Sequence, residues 1–145
     1  MGIQLFSGPV PIWHGFFSIA PQAAFGEIVG IESGYGGITP ENHALFFTGI
    51  FGGPIYVDVW EGDPEPTRDD REWEDSVQFR LLWSGDEEFF LTTFNGPPCA
   101  PVLLRRNTLY NVEYLVRGFR AGKGDLREEM DFDAEACRVV FRPFL

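Results

Sequence analysis

Three features of the sequence predict an all-β fold: alternation of apolar and polar residues, frequent turn residues, and the lack of a long apolar stripe at helical spacing. In "SVQFRLLW" (76–83) every second residue from Val77 to Trp83 is apolar, as in a strand with one buried face. The chain also contains 17 scattered glycines and 11 prolines, which favour short elements joined by turns. We therefore predict a two-sheet antiparallel sandwich of the jelly-roll type, with about eight to ten short strands and little helix, as a single domain over residues 1–145.

The individual strands are predicted from similar short runs. After residue 54 these runs are "PIYVDVW", "SVQFRLLW", "EEFFLTTF", "LYNVEYLVRGF" and "ACRVVFRPF", and earlier in the chain they are "IWHGFFSIA", "EIVGIE" and "ALFFTGIF". The alternation in "LYNVEYLVRGF" is the longest, so we expect Tyr114 to lie in the core, and Phe79 likewise. A helix at 21–25 or 125–135 stays an alternative, although neither segment has a long apolar stripe.

Most of the formal net charge of −11 comes from two segments. "DVWEGDPEPTRDDREWED" (58–75) has nine acidic residues against two arginines, and "DLREEMDFDAE" (125–135) has six against one. These segments argue against direct binding of nucleic acid or an anionic membrane, because phosphate contacts need lysine and arginine. They suit a basic protein or a cation, although such charges also serve solubility alone. If strand direction alternates after residue 55, the connections 61–75 and 120–136 leave the same end of the fold.

The sequence shows no targeting signal and few cysteines. Its opening, "MGIQLFSGPVPIWHGFF", is interrupted by Gly8, Pro9 and Pro11, unlike the apolar region of a signal peptide. No apolar run reaches the ~18 residues of a membrane span. We therefore predict a soluble, cytoplasmic protein with reduced thiols, in which Cys137 lies in the core and a pairing with Cys99 is left open.

No catalytic motif is present, so we predict a protein that is not an enzyme and uses no cofactor. The H-E-x-x-H, G-x-S-x-G and P-loop patterns are all missing from the sequence. His14 lies in an apolar run, where a packed strand residue is the favoured interpretation over a catalytic one. Cys–His catalysis would need a spatial pairing that the sequence does not indicate.

Residues 55–65 raise two ligand-binding alternatives. Tyr56 and Trp60 share one strand face, where exposed rings would stack on a sugar and covered rings would be ordinary core. Four carboxylates offer oxygen ligands but lack the spacing of a calcium-binding loop, so no metal site is predicted: Asp58, Glu61, Asp63 and Glu65. A carbohydrate- or small-ligand-binding module, with or without a weak Ca²⁺ site, is our second hypothesis.

Four stretches between residues 49 and 145 carry a resemblance to known proteins: "GGPIYVDVWEGDPEP", "WEDSVQFRL", "LYNVEYLVRGFRAG" and "CRVVFRPFL". They resemble small actinobacterial β-sandwich proteins with a W-E-D motif before a strand, a late Y-x-V-R-x-x-x-R-G strand and an F-W-P ending. They are more distantly similar to competence-type inhibitors of DNA-entry nucleases. The sequence departs from this pattern at Glu113 and Leu115, and Arg142 replaces the tryptophan of the ending. The resemblance implies a β-sandwich and a non-enzymatic protein that binds another protein.

Our leading hypothesis is an acidic module that binds a basic protein, in its sharpest form a nuclease inhibitor or toxin-immunity protein. Carboxylates of an acidic loop can occupy a phosphate-binding cleft and accelerate association. Trp73 is the candidate apolar anchor, unless it packs the loop back onto the sheet. A structural or assembly component is the third hypothesis, and the oligomeric state is left open. The predicted partner-binding residues are Asp63, Glu65, Asp69, Asp70, Glu72, Trp73, Glu74, Asp75, Glu128, Glu129, Asp131 and Asp133.

Overall fold

The described part of the chain is all-β, as predicted. A computed structural model describes residues 2–21, 35–39, 43–65, 73–83, 88–94, 98–119, 124, 126 and 135–144. These residues form ten strands and no helix, and hence no helix that could cross a membrane. The strands are β1 (Ile3–Trp13), β2 (Phe16–Ala20), β3 (Gly36–Ile38), β4 (Ala44–Phe47), β5 (Gly52–Glu61), β6 (Asp75–Trp83), β7 (Phe89–Thr93), β8 (Ala100–Val102), β9 (Thr108–Arg117) and β10 (Ala136–Pro143).

The strands form one mixed, nearly closed, barrel-like sheet. Their order is β3-β4-β2-β1-β5-β10-β9-β6, with β7 paired to β2 and β8 to β7, and the two end strands β3 and β6 approach each other. Each pair of these strands is antiparallel except β5 and β10, which are parallel. The predicted purely antiparallel arrangement is therefore wrong. The division into two sheets is not confirmed, because the Trp13–Phe16 pair joins β1 to β2.

The parallel pair determines the path of the chain between β5 and β6. Strand β10 is antiparallel to β9, and β9 is antiparallel to β6, so β5 and β6 point in the same direction. Connection 62–74 must therefore run from one end of the sheet to the other. Connection 118–135 instead joins two adjacent antiparallel strands at one end. The expectation that 61–75 and 120–136 leave the same end is wrong, because it assumed that direction alternates from strand to strand.

A tight turn separates β1 from β2. His14 and Gly15 both have positive φ angles, 59° and 78°, and Trp13 pairs with Phe16 across them. Two consecutive positive φ values are typical of a type I′ hairpin, whose twist matches that of the paired strands. The run "IWHGFFSIA" is therefore two strands joined by a turn. The interpretation of His14 as a packed strand residue is wrong, since this residue is exposed at the tip of the turn.

Strand β1 is longer than the sequence predicts, since Pro9 and Pro11 lie within it. It pairs with β5 from Ile3 to Trp13. The two prolines lie two residues apart, so their nitrogens, which carry no hydrogen, face the same edge of the strand. The pairing with β5 continues through both prolines, which indicates that this edge faces away from β5.

The alternating stripes of β6 and β9 lie in the core, as predicted. Tyr114 and Phe79 are both buried. Phe46 of β4 packs against the two rings, with centroid distances of 4.9 Å to Tyr114 and 5.8 Å to Phe79. The core therefore joins β6 and β9 to β4 across the interior of the sheet.

Three of the predicted elements lie largely outside the described residues. Two are the strand "EIVGIE" (27–32) and the alternative helix at 21–25, of which only Pro21 is described. The third is the alternative helix at 125–135, whose Leu126 forms an isolated parallel bridge with Gly52.

The two cysteines are free thiols that differ in exposure. Cys137 is buried, as predicted, and Cys99 is exposed. Desolvation raises the pKa of both thiols, and the Cys137 thiol is enclosed by the core. We expect Ellman's reagent to label one thiol in the folded chain and both after unfolding. Cys99→Ser should abolish the labelling of the folded protein, and rapid labelling of that variant would contradict the burial of Cys137.

Candidate functional site

The predicted partner-binding residues form two sets in relation to the structure. Five lie among the described residues: Asp63, Glu65, Trp73, Glu74 and Asp75. Seven lie outside them: Asp69, Asp70, Glu72, Glu128, Glu129, Asp131 and Asp133. The structure thus shows the positions of the first set only, and the role of both sets in binding stays a prediction.

The start of connection 62–74 is held at the end of β5. The Gly62 N–H donates a hydrogen bond of 2.8 Å to the carbonyl oxygen of Phe141. Asp63 Oδ1 then accepts a hydrogen bond of 2.9 Å from Arg142 Nε, and Arg142 holds the pKa of this carboxyl below its ordinary value. The Asp63 side chain is still 79% exposed, so this is a surface ion pair whose carboxylate also faces solvent.

The other end of the same connection lies beside the start of connection 118–135. The Glu74 N–H donates to the carbonyl oxygen of Val116 at 2.8 Å, and a carboxylate oxygen of Glu74 accepts from the Gly118 N–H at 3.3 Å. Asp75 begins β6 directly after it. Of the predicted acidic residues that are described, Glu74 and Asp75 thus lie at the end of the sheet from which 118–135 emerges, and Asp63 lies at the opposite end.

Trp73 packs against the face of the sheet opposite to the core. The guanidinium carbons of Arg117 and Arg138 lie 5.3 and 5.4 Å from its ring centroid, within the range of a cation–π contact. These arginines alternate along their strands with the core residues Val116 and Val139. The half-buried position of Trp73 agrees with the alternative in which it packs the connection back onto the sheet.

Two acidic residues of the 58–75 segment are bound inside the protein. Asp58 is buried and makes a bidentate pair with Arg138, through Nε–Oδ1 at 2.9 Å and Nη2–Oδ2 at 3.0 Å. Glu61 is also buried and accepts a hydrogen bond of 2.7 Å from the Tyr110 hydroxyl. Burial and this bond raise the pKa of Tyr110. The two carboxylates thus bind different partners, and the described ranges hold no cluster of His, Cys, Asp or Glu suited to a metal.

The aromatic residues of β5 do not form a ligand platform. Trp60 is only 4% exposed, so its ring cannot stack on a sugar. The Tyr56 hydroxyl shares a hydrogen bond of 2.6 Å with the Ser7 hydroxyl of the neighbouring strand. The preferred interpretation of Trp60 as a buried residue is confirmed, and the aromatic basis of the carbohydrate-binding hypothesis is removed.

An exposed aromatic cluster lies at the β1–β2 hairpin, where the sequence predicted no site. The rings of Trp13, His14 and Phe51 contact one another edge to face, with centroid distances of 5.2, 5.3 and 5.2 Å. Phe94 adds a fourth ring, 4.4 Å from that of His14. Trp13 is 47% exposed and Phe51 40% exposed. With Leu126, which is 69% exposed and lies against Gly52 beside Trp13, these residues form what we call the hairpin-end surface.

The hairpin-end surface lies at the same end of the sheet as connection 118–135. Gly124 of that connection donates a hydrogen bond of 2.8 Å to the carbonyl oxygen of Gly49, two residues before Phe51. Gly49 also packs against Phe119. Phe119 directly follows Gly118, whose N–H donates a hydrogen bond to Glu74. Glu74 and Asp75 therefore lie at the same end of the sheet as this apolar surface.

The fold is similar to that of a solved nuclease inhibitor. No family model and no curated protein matches the chain. The crystal structure of ComJ from Bacillus subtilis, an inhibitor of the DNA-degrading activity of NucA, matches with a TM-score of 0.65 and 9% sequence identity, over 99% of this chain and 99% of that chain. At this identity the likeness shows the fold alone. It agrees with the distant similarity to competence-type inhibitors, whereas the resemblance to actinobacterial proteins is not shown.

Proposed function

We propose that the protein binds a DNA-degrading nuclease and inhibits it without catalysing a reaction itself. The observation that carries this proposal is the likeness to ComJ, which extends over 99% of both chains. It therefore concerns the whole sheet and not a single shared hairpin. Because one fold can support several functions, the charge of the chain supplies the second argument.

The charge favours a basic partner. Nucleases bind phosphates through basic clefts, and carboxylates on an acidic loop can take the place of those phosphates. Asp58 and Glu61 are not among the proposed contacts, because they are bound inside the protein. The proposed acidic contacts are Asp63, Glu65, Asp69, Asp70, Glu72, Glu74, Asp75, Glu128, Glu129, Asp131 and Asp133. Such contacts speed association, and salt weakens them because exposed charges are screened beyond about 8–10 Å. The structural or assembly role stays a prediction, with no contact in the described residues that favours it.

The proposal is tested by titrating the protein into DNA-cleavage assays with purified nucleases, NucA among them. We expect at least one nuclease to be inhibited, with an inhibition constant that weakens as the salt concentration rises. The triple variant Asp69→Lys, Asp70→Lys, Glu72→Lys should weaken that inhibition at low salt by about tenfold or more, because it places like charges against a basic cleft.

A matched control separates a binding loop from net charge. The variant Asp86→Lys, Glu87→Lys, Glu88→Lys changes the net charge by the same amount in a different connection. We expect it to retain most of the inhibition. If both triple variants lose inhibition equally, segment 66–72 acts only as a solvated loop. If no nuclease is inhibited by the unchanged protein, the proposed function is wrong.

A further inference from the structure

We propose that the hairpin-end surface receives arginine side chains of a cationic protein partner. The class of partner is taken from the proposed function, on which this inference rests. The choice of arginine is argued from the aromatic rings. Trp13 and Phe51 provide large, partly exposed aromatic rings at the end of the sheet that also holds Glu74 and connection 118–135. No predicted role uses these rings.

The rings are held in place before any partner arrives. Trp13, His14 and Phe51 support one another edge to face, and the ring of Trp13 also lies over Gly52, where a side chain would collide with it. Side chains fixed in this way lose little rotamer entropy on binding. Part of each ring stays open to solvent beside these contacts, since Trp13 is 47% exposed and Phe51 is 40% exposed.

Charge selects a cationic occupant over an apolar one. Apart from the buried Glu135, the stretches 73–75 and 118–135, which reach this end of the sheet, contain seven acidic residues and three basic ones. A negative surrounding field and an aromatic face both attract a cation. Arginine is preferred to lysine here because its planar guanidinium stacks on a ring and is more weakly hydrated than an ammonium group.

The protein itself shows this mode of contact elsewhere. The guanidinium of Arg80 lies 4.7 Å from the ring centroid of Phe144, and those of Arg117 and Arg138 lie over Trp73. Among the described residues, no arginine lies over Trp13 or Phe51 in this way. We expect the exposed parts of these two rings to take a guanidinium supplied by another molecule.

Poly-arginine and poly-lysine peptides of equal length test the inference without a nuclease. We expect the protein to bind the arginine peptide about threefold to tenfold more tightly at the same ionic strength, as measured by isothermal titration calorimetry. The double variant Trp13→Leu, Phe51→Leu keeps apolar bulk but removes both rings, so it should bind the two peptides equally. Trp13→Leu alone is the second variant, with a partial loss expected, should the double variant fold poorly.

The control is Phe144→Leu, which removes an exposed ring that already has Arg80 over it. It should leave the preference for arginine unchanged. Equal affinity of the unchanged protein for both peptides, or a preference that survives the loss of the Trp13 ring, would overturn the inference. Nuclease inhibition without an arginine preference would overturn this inference alone, and an arginine preference without any inhibition would overturn the proposed function alone.

Discussion

Replacing Asp58 by alanine is expected to lower the free energy of unfolding by about 3–5 kcal/mol, because it leaves the Arg138 guanidinium buried without its carboxylate. Both of the carboxylate oxygens bind Arg138, at 2.9 and 3.0 Å. The side chains are 5% and 10% exposed, so water replaces little of the lost interaction. The remaining contact of Arg138 with the Trp73 ring compensates for only part of the loss.

Asp63→Ala is the matched control for this prediction. It removes one carboxylate from another Arg pair with the same distance of 2.9 Å, but at a side chain that is 79% exposed. We expect a loss of no more than about 1 kcal/mol in the same urea denaturation experiment. Similar small losses in both variants would contradict the burial of the Asp58–Arg138 pair. The double variant Asp58→Leu, Arg138→Met should recover much of the stability, since neither charge is then left unpaired.

These two aspartates also show why the acidic segment could not be interpreted from its sequence as one unit. Asp58 and Asp63 are five residues apart in a run in which half of the residues are acidic. One binds an arginine inside the protein and the other binds an arginine at the surface. The difference depends on what covers the second face of β5, which alternation along a single strand does not indicate. Only the carboxylates outside the protein's interior are available to a partner.

Most of the strands could be predicted because their signal is local. The stripe through Tyr114 identifies both the strand and its buried face, and the same holds for Phe79. Strand order is not local: an alternating run has the same pattern whether its neighbour is parallel or antiparallel. The parallel pairing of β5 with β10 was therefore not predicted. The path of connection 62–74, which depends on that pairing, was not predicted either.

The hairpin-end surface is a different case, because a signal for it is present in the sequence. The dipeptide His14-Gly15 lies between two apolar runs, and a two-residue connection that ends in glycine is typical of a type I′ hairpin. Histidine is also among the residues that tolerate a positive φ. Recognition of this turn would have placed Trp13 and Phe16 side by side. The contribution of Phe51 and Phe94 depends on other connections and could not be inferred in this way.

Replacing Tyr114 by alanine is expected to lower the free energy of unfolding by roughly 3–5 kcal/mol, the usual cost of a large aromatic truncation in a core. Its ring is fully buried and lies 4.9 Å from the ring of Phe46 and 6.0 Å from that of Phe17, which belong to strands across the interior. Its hydroxyl also donates a hydrogen bond of 2.9 Å to the carbonyl oxygen of Phe47. The side chain thus connects β9 to β2 and β4 by packing and by a polar bond.

Tyr114→Phe separates these two contributions, since it keeps the ring and removes the hydroxyl. We expect a loss of about 1 kcal/mol at neutral pH, the net value of one hydrogen bond. Burial raises the pKa of Tyr114 well above its ordinary value of 10.0, so above that pH the unfolded chain releases a proton that the folded chain keeps. Stability that is present below pH 10 is therefore lost as the pH rises, and Tyr114→Phe should reduce this alkaline loss.

Leu103→Ala provides the surface reference for the truncation, because Leu103 is 70% exposed and its loss should change stability by no more than about 0.5 kcal/mol. The three variants should therefore rank Tyr114→Ala, Tyr114→Phe and Leu103→Ala in a urea melt at constant pH. A near-zero effect of Tyr114→Ala would mean that the inner and outer faces of β9 are reversed. That reversal would also place Arg117 and Glu113 in the core, where unpaired charges are costly. The size of the loss in Tyr114→Ala therefore decides which face of β9 is buried along the whole strand.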